Sequence, residues 1–435
     1  MPLSSRLGIL TGVFFALGLV SCGQHTASEN DGTVTLQAWA HAGRQAEREA
    51  LAAHVKQFNR DHEDVDIDLV FIPEGAYNSQ VQAAALAGDL PDLLEFDGPF
   101  LYNYVWQNQL QPIRDLLSEE TVQNLIPSMV DQGTYNGNLW SVGQFDSGLG
   151  LFGNRAKLEA VGARIPTHPG EAWTVEEFEA ILQRLAEQDV DGQVLDLKLN
   201  YRGEWFTYAF LPALISAGGG LISRPDYEQA EGVLDSGESQ NVLRSFQRWV
   251  REDNWVDPNV DDNAFTGGRV ALSWVGHWEY DRYRDTLGDD LVLLPLPDFG
   301  QGSRTGQGSW SWGITRKCAD PEAAGAFLDF LLQNEQVLDM VNANGAVPAT
   351  HSAIEASDRY AEGKDLNLYV VQLTEGFAVP RPRTPAYPII TSVFQSTFTD
   401  ILDGADVKQS LARAAKEITQ DIEDNQGYPN VEARP

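Results

Sequence analysis

Cysteine is nearly absent from this sequence, whose 435 residues contain only Cys22 and Cys318. If Cys22 carries a lipid on its sulfur, no disulfide can form within the chain. An exported chain without disulfides depends on its hydrophobic core, and 435 residues are enough to bury one, in two domains rather than one. Cys318 has no second thiol and no metal-ligand spacing beside it, so we expect an inert buried thiol.

Positive charge is also scarce, with 30 Lys and Arg against 63 Asp and Glu. Nucleic acids and anionic membrane surfaces favour cationic proteins, so no nucleic-acid partner is expected. The acidic residues are spread along the chain, and we expect most of them to form a solvated surface. Binding of a cationic solute such as a polyamine stays open as an alternative.

Motifs for catalysis and for metal binding are lacking as well. The chain has no Gly-rich phosphate loop, no His pair at zinc spacing and no Gly-x-Ser-x-Gly elbow. Asp189-Val190-Asp191-Gly192-Gln193 is only faintly similar to a calcium loop, because its glycine comes two positions early and Asn200 stands where an acid is needed. The sequence therefore predicts no catalytic residue, no cofactor and no metal. A secreted carbohydrate-active enzyme with a carboxylate pair stays open as an alternative.

The N-terminal segment carries a clear export signal. An apolar run over 7–20, too short for a membrane span, leads into Leu19-Val20-Ser21-Cys22-Gly23. This end resembles the lipobox of bacterial lipoproteins, whose cysteine is acylated and becomes the new N-terminus. We predict a signal peptide over 1–21 and a lipidated tether over 22–32 that anchors the protein outside the cytoplasm through Cys22, at the outer face of the cell membrane or in the periplasm. The alternative is an ordinary cleaved signal with an incidental cysteine.

Strands and helices alternate after the tether. The predicted order is a strand over 34–39, a helix over 44–58, a strand over 65–71, a helix over 75–87 and a strand over 91–96. The first helix repeats apolar residues at helical spacing, and the second strand alternates them with Asp66 and Asp68. Further helices are predicted over 174–187, from Asp320 onward and over 405–424. This order predicts an α/β fold with parallel strands.

Tryptophan is abundant, with eleven residues, and many lie at strand ends or in Gly-rich turns. An indole offers a flat apolar face and a polar edge, which suits the CH-rich face and hydroxyl rim of a sugar ring. Six tryptophans in this context are candidate stacking platforms: Trp39, Trp205, Trp274, Trp278, Trp310 and Trp312. Packing in the core is the alternative for each of them. Five others lack that context and are expected to be packing residues: Trp106, Trp140, Trp173, Trp249 and Trp255.

Several segments, taken together in order, resemble the extracellular solute-binding proteins of ATP-binding-cassette sugar importers, the group related to maltose-binding protein. The similar segments are Thr35-Leu36-Gln37-Ala38-Trp39, Ala87-Gly88-Asp89-Leu90-Pro91-Asp92-Leu93, the segment from Phe265 to Leu272 with Gly276-His277-Trp278, Trp312-Gly313-Ile314-Thr315, Asp320-Pro321-Glu322-Ala323-Ala324 and Gly345-Ala346-Val347-Pro348-Ala349. Gly-His-Trp replaces the commoner Gly-Pro-Trp, and several contact positions also differ from those of the maltose binder, so maltose itself is not implied.

The resemblance implies a two-lobed periplasmic-binding-protein fold, each lobe a mainly parallel sheet flanked by helices and discontinuous in sequence. Lobe 1 is expected over 33–147 and 308–355, and lobe 2 over 148–307 and 356–435. The ligand would bind between the lobes, which close on it by a hinge. The implied protein is a monomeric receptor that is not an enzyme, and its partners are a carbohydrate and the permease subunits of an importer.

The resemblance also implies ligand-binding positions in both lobes. On the first lobe they are Trp39, His41, Arg44, Glu74, Asp97 and Asp146. On the second lobe they are Trp205, Trp278, Arg383 and Tyr387, and Trp274 is a further candidate from the tryptophan pattern alone. Trp310 and Trp312 lie near the second crossing, where at least one ring is open to a role in the hinge core instead.

Overall fold

The computed structural model describes residues 33–201, 203–258 and 261–429, and most of its strand residues lie in two separate four-stranded sheets. The predicted signal peptide, the tether and the lipidation of Cys22 lie outside the described residues. Within these ranges no helix is both long and apolar enough to cross a membrane.

Short strands are distributed along the whole described chain. They are β1 Val34–His41, β2 Val65–Ile72, β3 Leu93–Asp97, β4 Thr134–Tyr135, β5 Asn138–Leu139, β6 Phe145–Asp146, β7 Leu149–Asn154, β8 Leu195–Asp196, β9 Leu272–Gly276, β10 Leu291–Leu294, β11 Thr305–Gln307, β12 Trp310–Ile314, β13 Val347–Pro348 and β14 Ala378–Pro380.

Helices connect and cover these strands. They are α1 Gln45–Asp61, α2 Glu74–Ala87, α3 Leu101–Trp106, α4 Glu119–Asn124, α5 Pro127–Gly133, α6 Arg155–Ala160, α7 Val175–Ala186, α8 Trp205–Ser216, α9 Gly237–Arg251, α10 Tyr280–Leu287, α11 Pro321–Leu331, α12 Asn334–Asn344, α13 His351–Ala356, α14 Asn367–Thr374, α15 Tyr387–Leu402 and α16 Val407–Asp424. Short 3-10 turns lie at Gly98–Phe100, Arg114–Leu116, Pro169–Glu171, His277–Glu279, Gly288–Asp290 and Asp358–Tyr360.

The first sheet has the strand order β12-β3-β1-β2. β1 runs parallel to both β2 and β3, and Trp39 lies opposite Val70 and Leu94. β12 is antiparallel to β3 and places Trp310 opposite Asp97. The predicted strand–helix–strand order of this region is confirmed, because alternating apolar residues of β1 and β2 pack on the amphipathic α1.

The second sheet has the strand order β10-β7-β9-β8. β8 is parallel to β9, whereas β7 is antiparallel to both of its neighbours, β9 and β10. Three strands therefore run in one direction, and the reversed strand is the one by which the chain first enters this sheet.

The chain passes between the two sheets at two well-defined places. β6 pairs with β13, and only Ser147 and Gly148 separate β6 from β7 of the second sheet. β11 pairs with β14, and only Gly308 and Ser309 separate β11 from β12 of the first sheet. Two sheets with flanking helices and repeated crossings give the discontinuous, two-lobed α/β fold that was expected.

The later helices begin and pack as their sequences predict. The Thr174 hydroxyl accepts a hydrogen bond from the Glu177 amide at the start of α7, and Asp320 caps α11 through the Ala323 amide. One face of α16, from Val407 to Ile422, is buried. Cys318 is buried and forms no disulfide, as expected, and burial raises the pKa of its thiol to about 12.

Candidate functional site

A stacked pair of rings stands at one end of the first sheet. The imidazole of His41, at the end of β1, lies parallel to the Trp310 indole with ring centroids 3.8 Å apart. His41 Nδ1 lies 2.8 Å from Glu95 Oε2, and the His41 amide donates to the same oxygen. Burial lowers the pKa of His41, but Glu95, with help from Glu47 and Glu74, raises it to about 9. At neutral pH one face of Trp310 is therefore covered by an imidazolium cation.

A cluster of four aromatic rings lies beside the second sheet. Trp205 at the start of α8 contacts Trp278 edge to face, with centroids 6.0 Å apart, and Tyr201 in the same way at 5.2 Å. Tyr208, one turn further along α8, lies 6.3 Å from Trp278. The Trp205 indole N–H donates to the Leu197 carbonyl, which fixes the orientation of the ring.

Arg44 connects the end of the first sheet, where His41 and Trp310 stack, to the ring cluster beside the second sheet. It follows β1 of the first sheet, and its Nη2 donates to the Tyr201 hydroxyl at 2.9 Å. It also pairs with Glu279 and lies 3.6 Å from Asp262. The Glu279 side chain is fully buried and has a second cation, Arg282, at 2.9 Å. The Tyr201 hydroxyl lies 3.3 Å from Glu279, so the bridge forms one hydrogen-bonded network.

Arg381 forms a second connection between the first sheet and the ring cluster. It follows β14, and both of its terminal nitrogens hydrogen-bond to Asp97 at the end of β3. The same guanidinium donates to Glu204 Oε2, at 3.1 Å, beside the start of α8. The Tyr387 hydroxyl donates to this same oxygen of Glu204. Arg381 also lies over the Tyr208 ring, 5.0 Å from its centroid.

Asp146 and His277 hold the first crossing. The Asp146 carboxylate is fully buried, accepts from Gln132 Nε2 and from the Ser147 amide, each at 2.8 Å, and has a pKa that burial raises. His277 Nδ1 lies 2.8 Å from the Asn344 carbonyl and Nε2 lies 3.0 Å from the Ser147 hydroxyl, so Nδ1 carries the proton. Burial lowers the pKa of His277 to about 4 and keeps it neutral. These contacts place Asp146 at the crossing, and its charge adds to the effect of burial in raising the pKa of Tyr208, so it lies close to the ring cluster.

Two of the six tryptophans suggested as stacking platforms are core residues. Trp274 is fully buried beside Phe210 and Phe246, and Trp312 packs on Phe327 of α11. Trp274 lies on an inner strand of the second sheet and is 0% exposed, and Trp312 is 2% exposed, so neither ring is accessible to a ligand. The structure therefore does not support a ligand contact for either residue.

The other suggested residues lie near the rings but differ in their contacts. Trp39 is half-buried and packs on the same apolar cluster as Trp310. Glu74 is exposed in the first turn of α2 and faces His41 electrostatically. Arg383 is half-buried and pairs with Asp131 through both terminal nitrogens.

Several important residues of this arrangement were not predicted: Glu95, Tyr201, Glu204, Tyr208, Glu279 and Arg381. Glu95 is a charged residue within a buried apolar strand. Charged residues are rarely buried without a partner, so this position could have been identified from the sequence. Arg381 and Glu204 lie within two positions of predicted residues, Arg383 and Trp205, and this closeness in sequence was the only signal for them. Tyr208 carries no signal in the sequence, because its position on α8 is indistinguishable from core packing. Within the described ranges, no three His, Cys, Asp or Glu side chains come together in a way that would hold a metal ion.

Comparison with known proteins shows a family match over most of the chain. Residues 53–367 match the family described as bacterial extracellular solute-binding protein. An uncharacterized lipoprotein in the oleD 5' region of Streptomyces antibioticus is 22% identical, over 80% of this chain and 77% of that protein. A maltooligosaccharide ABC transporter solute-binding lipoprotein of Streptococcus pneumoniae is 22% identical, over 41% of this chain and 46% of that protein.

Solved structures share the fold at low sequence identity. The GacH receptor of Streptomyces glaucescens, solved unliganded and with acarbose, is 20% identical and superposes with a TM-score of 0.74, over 90% of this chain and 98% of that one. The Thermus thermophilus maltotriose binding protein bound with maltotriose is 16% identical, with a TM-score of 0.72 over 89% of this chain and all of that one.

Proposed function

This chain belongs to the bacterial extracellular solute-binding protein family, and from that premise we propose that it binds a sugar or oligosaccharide between two lobes and delivers it to an ABC importer. Family membership makes it an exported protein. The proteins it is similar to are binding proteins, and we propose that this chain likewise catalyses no reaction. The maltooligosaccharide and maltotriose ligands named for its relatives support a sugar as the ligand class.

One observation carries the proposal: half-buried aromatic rings with hydrogen-bonding side chains beside them lie next to both sheets. Trp310 lies on the first sheet and Trp278 in the turn after β9 of the second, and the buried Trp205 and Tyr208 of α8 pack against Trp278. Stacking on such rings suits the CH face of a sugar, and flanking carboxylates and guanidinium groups accept or donate strong hydrogen bonds to hydroxyls. Ligand hydroxyls left unpaired would be disfavoured, which gives discrimination.

Two arginine bridges support a closing motion. We propose that lobe 1 comprises 33–147 and 308–355 and that lobe 2 comprises 148–307 and 356–435. With these limits Arg44 of lobe 1 reaches Tyr201 of lobe 2, and Arg381 of lobe 2 reaches Asp97 of lobe 1. A ligand drives closure only through its differential affinity for the two states, and rings on both lobes supply that difference.

The anchor and the partners complete the proposal. Cys22 would hold the receptor at the membrane by its lipid, close to the permease subunits that take the ligand. We propose that the receptor acts as a monomer and binds no nucleic acid, which agrees with its net charge of −33.

Thermal unfolding with and without ligand tests the proposal. Maltotriose, maltose and spermidine are added separately, since a ligand at about 100 times its Kd stabilises the folded state by about 2.7 kcal/mol. We expect a shift with a sugar, which Trp278→Ala reduces and Trp255→Ala retains. A shift with spermidine alone would overturn the sugar proposal. Cleavage of maltotriose that scales with protein concentration and is lost on changing a carboxylate would overturn the binding-only role.

A further inference from the structure

The Arg381 bridge has an unusual charge balance. One guanidinium lies between two carboxylates, Asp97 and Glu204, and all three side chains are largely buried, at 3%, 10% and 16% exposure. Asp97 accepts hydrogen bonds from both terminal nitrogens of Arg381, whereas Glu204 accepts from only one of them, at 3.1 Å. With both carboxylates ionised, the buried group carries one uncompensated negative charge, which is costly away from water.

The groups around Glu204 do not remove this charge. Besides Arg381 and Asp97, Glu204 is faced by Tyr387, whose hydroxyl donates to it, and by Tyr104. Burial raises the pKa of Tyr387 and of Tyr104 well above the ordinary value, so both remain neutral. The Thr391 hydroxyl adds a hydrogen bond and no charge.

We propose that Glu204 is a proton-dependent switch for lobe closure. With the Glu204 carboxyl protonated, the bridge between the first sheet and α8 is electrically neutral and holds the lobes together. With the carboxyl ionised, the closed state confines an uncompensated charge, and the lobes separate more readily to hydrate it. Because Glu204 directly precedes Trp205, the switch acts at the edge of the aromatic cluster.

The sign of the pH dependence follows from the environment of this group. Burial, and secondarily the Asp97 charge, raise the pKa of Glu204 to about 7, although Arg381 opposes the shift. Separation of the lobes returns the carboxyl to water, where its ordinary pKa is 4.5. The closed state therefore binds this proton more tightly than the open state. The resulting stabilisation of the closed state is complete below pH 4.5 and is lost as pH rises through 7.

The switch rests on the proposed closing motion but not on the identity of the ligand, so it is tested on the ligand-free full chain in detergent. Infrared spectroscopy follows the protonated carboxyl band with pH, and acrylamide quenching of tryptophan fluorescence follows opening of the ring-lined cleft. We expect a band with a midpoint near pH 7 that is absent in Glu204→Gln. Quenching should increase with pH in the native chain, severalfold between pH 5.5 and 8, and stay low and flat in Glu204→Gln.

Two further variants keep the test decisive. Glu228→Gln changes an exposed carboxylate of the same lobe and should retain the native pH profile. Tyr387→Phe removes the hydroxyl that stabilises ionised Glu204, so the midpoint should move upward even if Glu204→Gln folds poorly. A carboxyl band without a midpoint near 7, an equal quenching slope in Glu204→Gln, or an unmoved midpoint in Tyr387→Phe would overturn the switch. The sugar-induced thermal shift is measured separately, so its failure would not be confused with these outcomes.

Discussion

The charge state of His41 gives the sharpest quantitative prediction. Its imidazole is 9% exposed and pairs with Glu95 at 2.8 Å, and its pKa rises from 6.5 to about 9. That difference corresponds to a stabilisation of the charged form by about 3 kcal/mol. Because the pKa is higher in the folded protein, this stabilisation is present in full below pH 6.5 and is lost as pH rises through 9.

Replacement of the acid isolates this contribution. In Glu95→Gln the charge that outweighs the burial of His41 is gone, so we expect the pKa of His41 to fall toward 6.5 or below. The free energy of unfolding of the native chain should then decline between pH 6.5 and 9 by about 3 kcal/mol more than that of Glu95→Gln, in which only the other titrating groups contribute. Glu74→Gln is the matched control, since Glu74 faces His41 from an exposed position. This variant should keep most of the decline of the free energy of unfolding with pH.

Two measurements check this prediction. Nuclear magnetic resonance of histidine-labelled protein gives the titration midpoint, with His41 assigned by its loss in His41→Gln. Urea unfolding at several pH values gives the stability slope. A His41 midpoint near 6.5 in the native chain, or the same stability slope in Glu95→Gln, would refute the reasoning.

Three other predictions follow from the site, the core and the N-terminus. Arg44→Ala should raise the Kd for the bound sugar roughly fivefold, about 1 kcal/mol, because the half-exposed bridge to Tyr201 is lost while Arg282 still pairs with Glu279; an unchanged Kd in a calorimetric titration would contradict the bridge. Trp274→Ala should lower the free energy of unfolding by about 3–5 kcal/mol and leave the Kd of the folded protein unchanged, and a Kd effect without destabilisation would return this ring to the site. Cys22→Ala should release the receptor from the membrane fraction, as detected by fractionation, and a retained membrane signal would argue against the lipid anchor.

The fold was predictable because local pattern and global architecture agree. Alternating residues in β1 and β2, the amphipathic α1 and the caps of α7 and α11 each specify one element, and their order specifies parallel pairing of the first three strands. The reversed strand β7 of the second sheet was not predictable from its own sequence. Its direction follows from where the chain leaves the first sheet, which is a long-range property.

The site was predictable only in part, for a physical reason. An indole has the same sequence signature whether it lies over a ligand or in a core, so the tryptophan pattern did not distinguish Trp278 from Trp274, four residues before it, and only the family resemblance favoured Trp278. The structure separates them, since Trp274 belongs to an inner strand and Trp278 to the turn after it. The two arginine bridges were harder still to predict. Arg381 and Asp97, for example, are 284 positions apart in sequence and meet only through the tertiary fold.

The charge pairing at the site bears on which ligands it accepts. His41, Arg44 and Arg381 are each held by a carboxylate that is largely buried: Glu95, Glu279 and Asp97. An anionic ligand would have to displace one of these partners, and the displaced carboxylate would remain close by in a region of low dielectric constant. A neutral hydroxyl needs no such exchange, because it can donate to a remaining lone pair of a paired carboxylate. We therefore infer that the proposed site favours neutral ligands over phosphorylated or carboxylated ones, because each of these cations is already paired with a carboxylate.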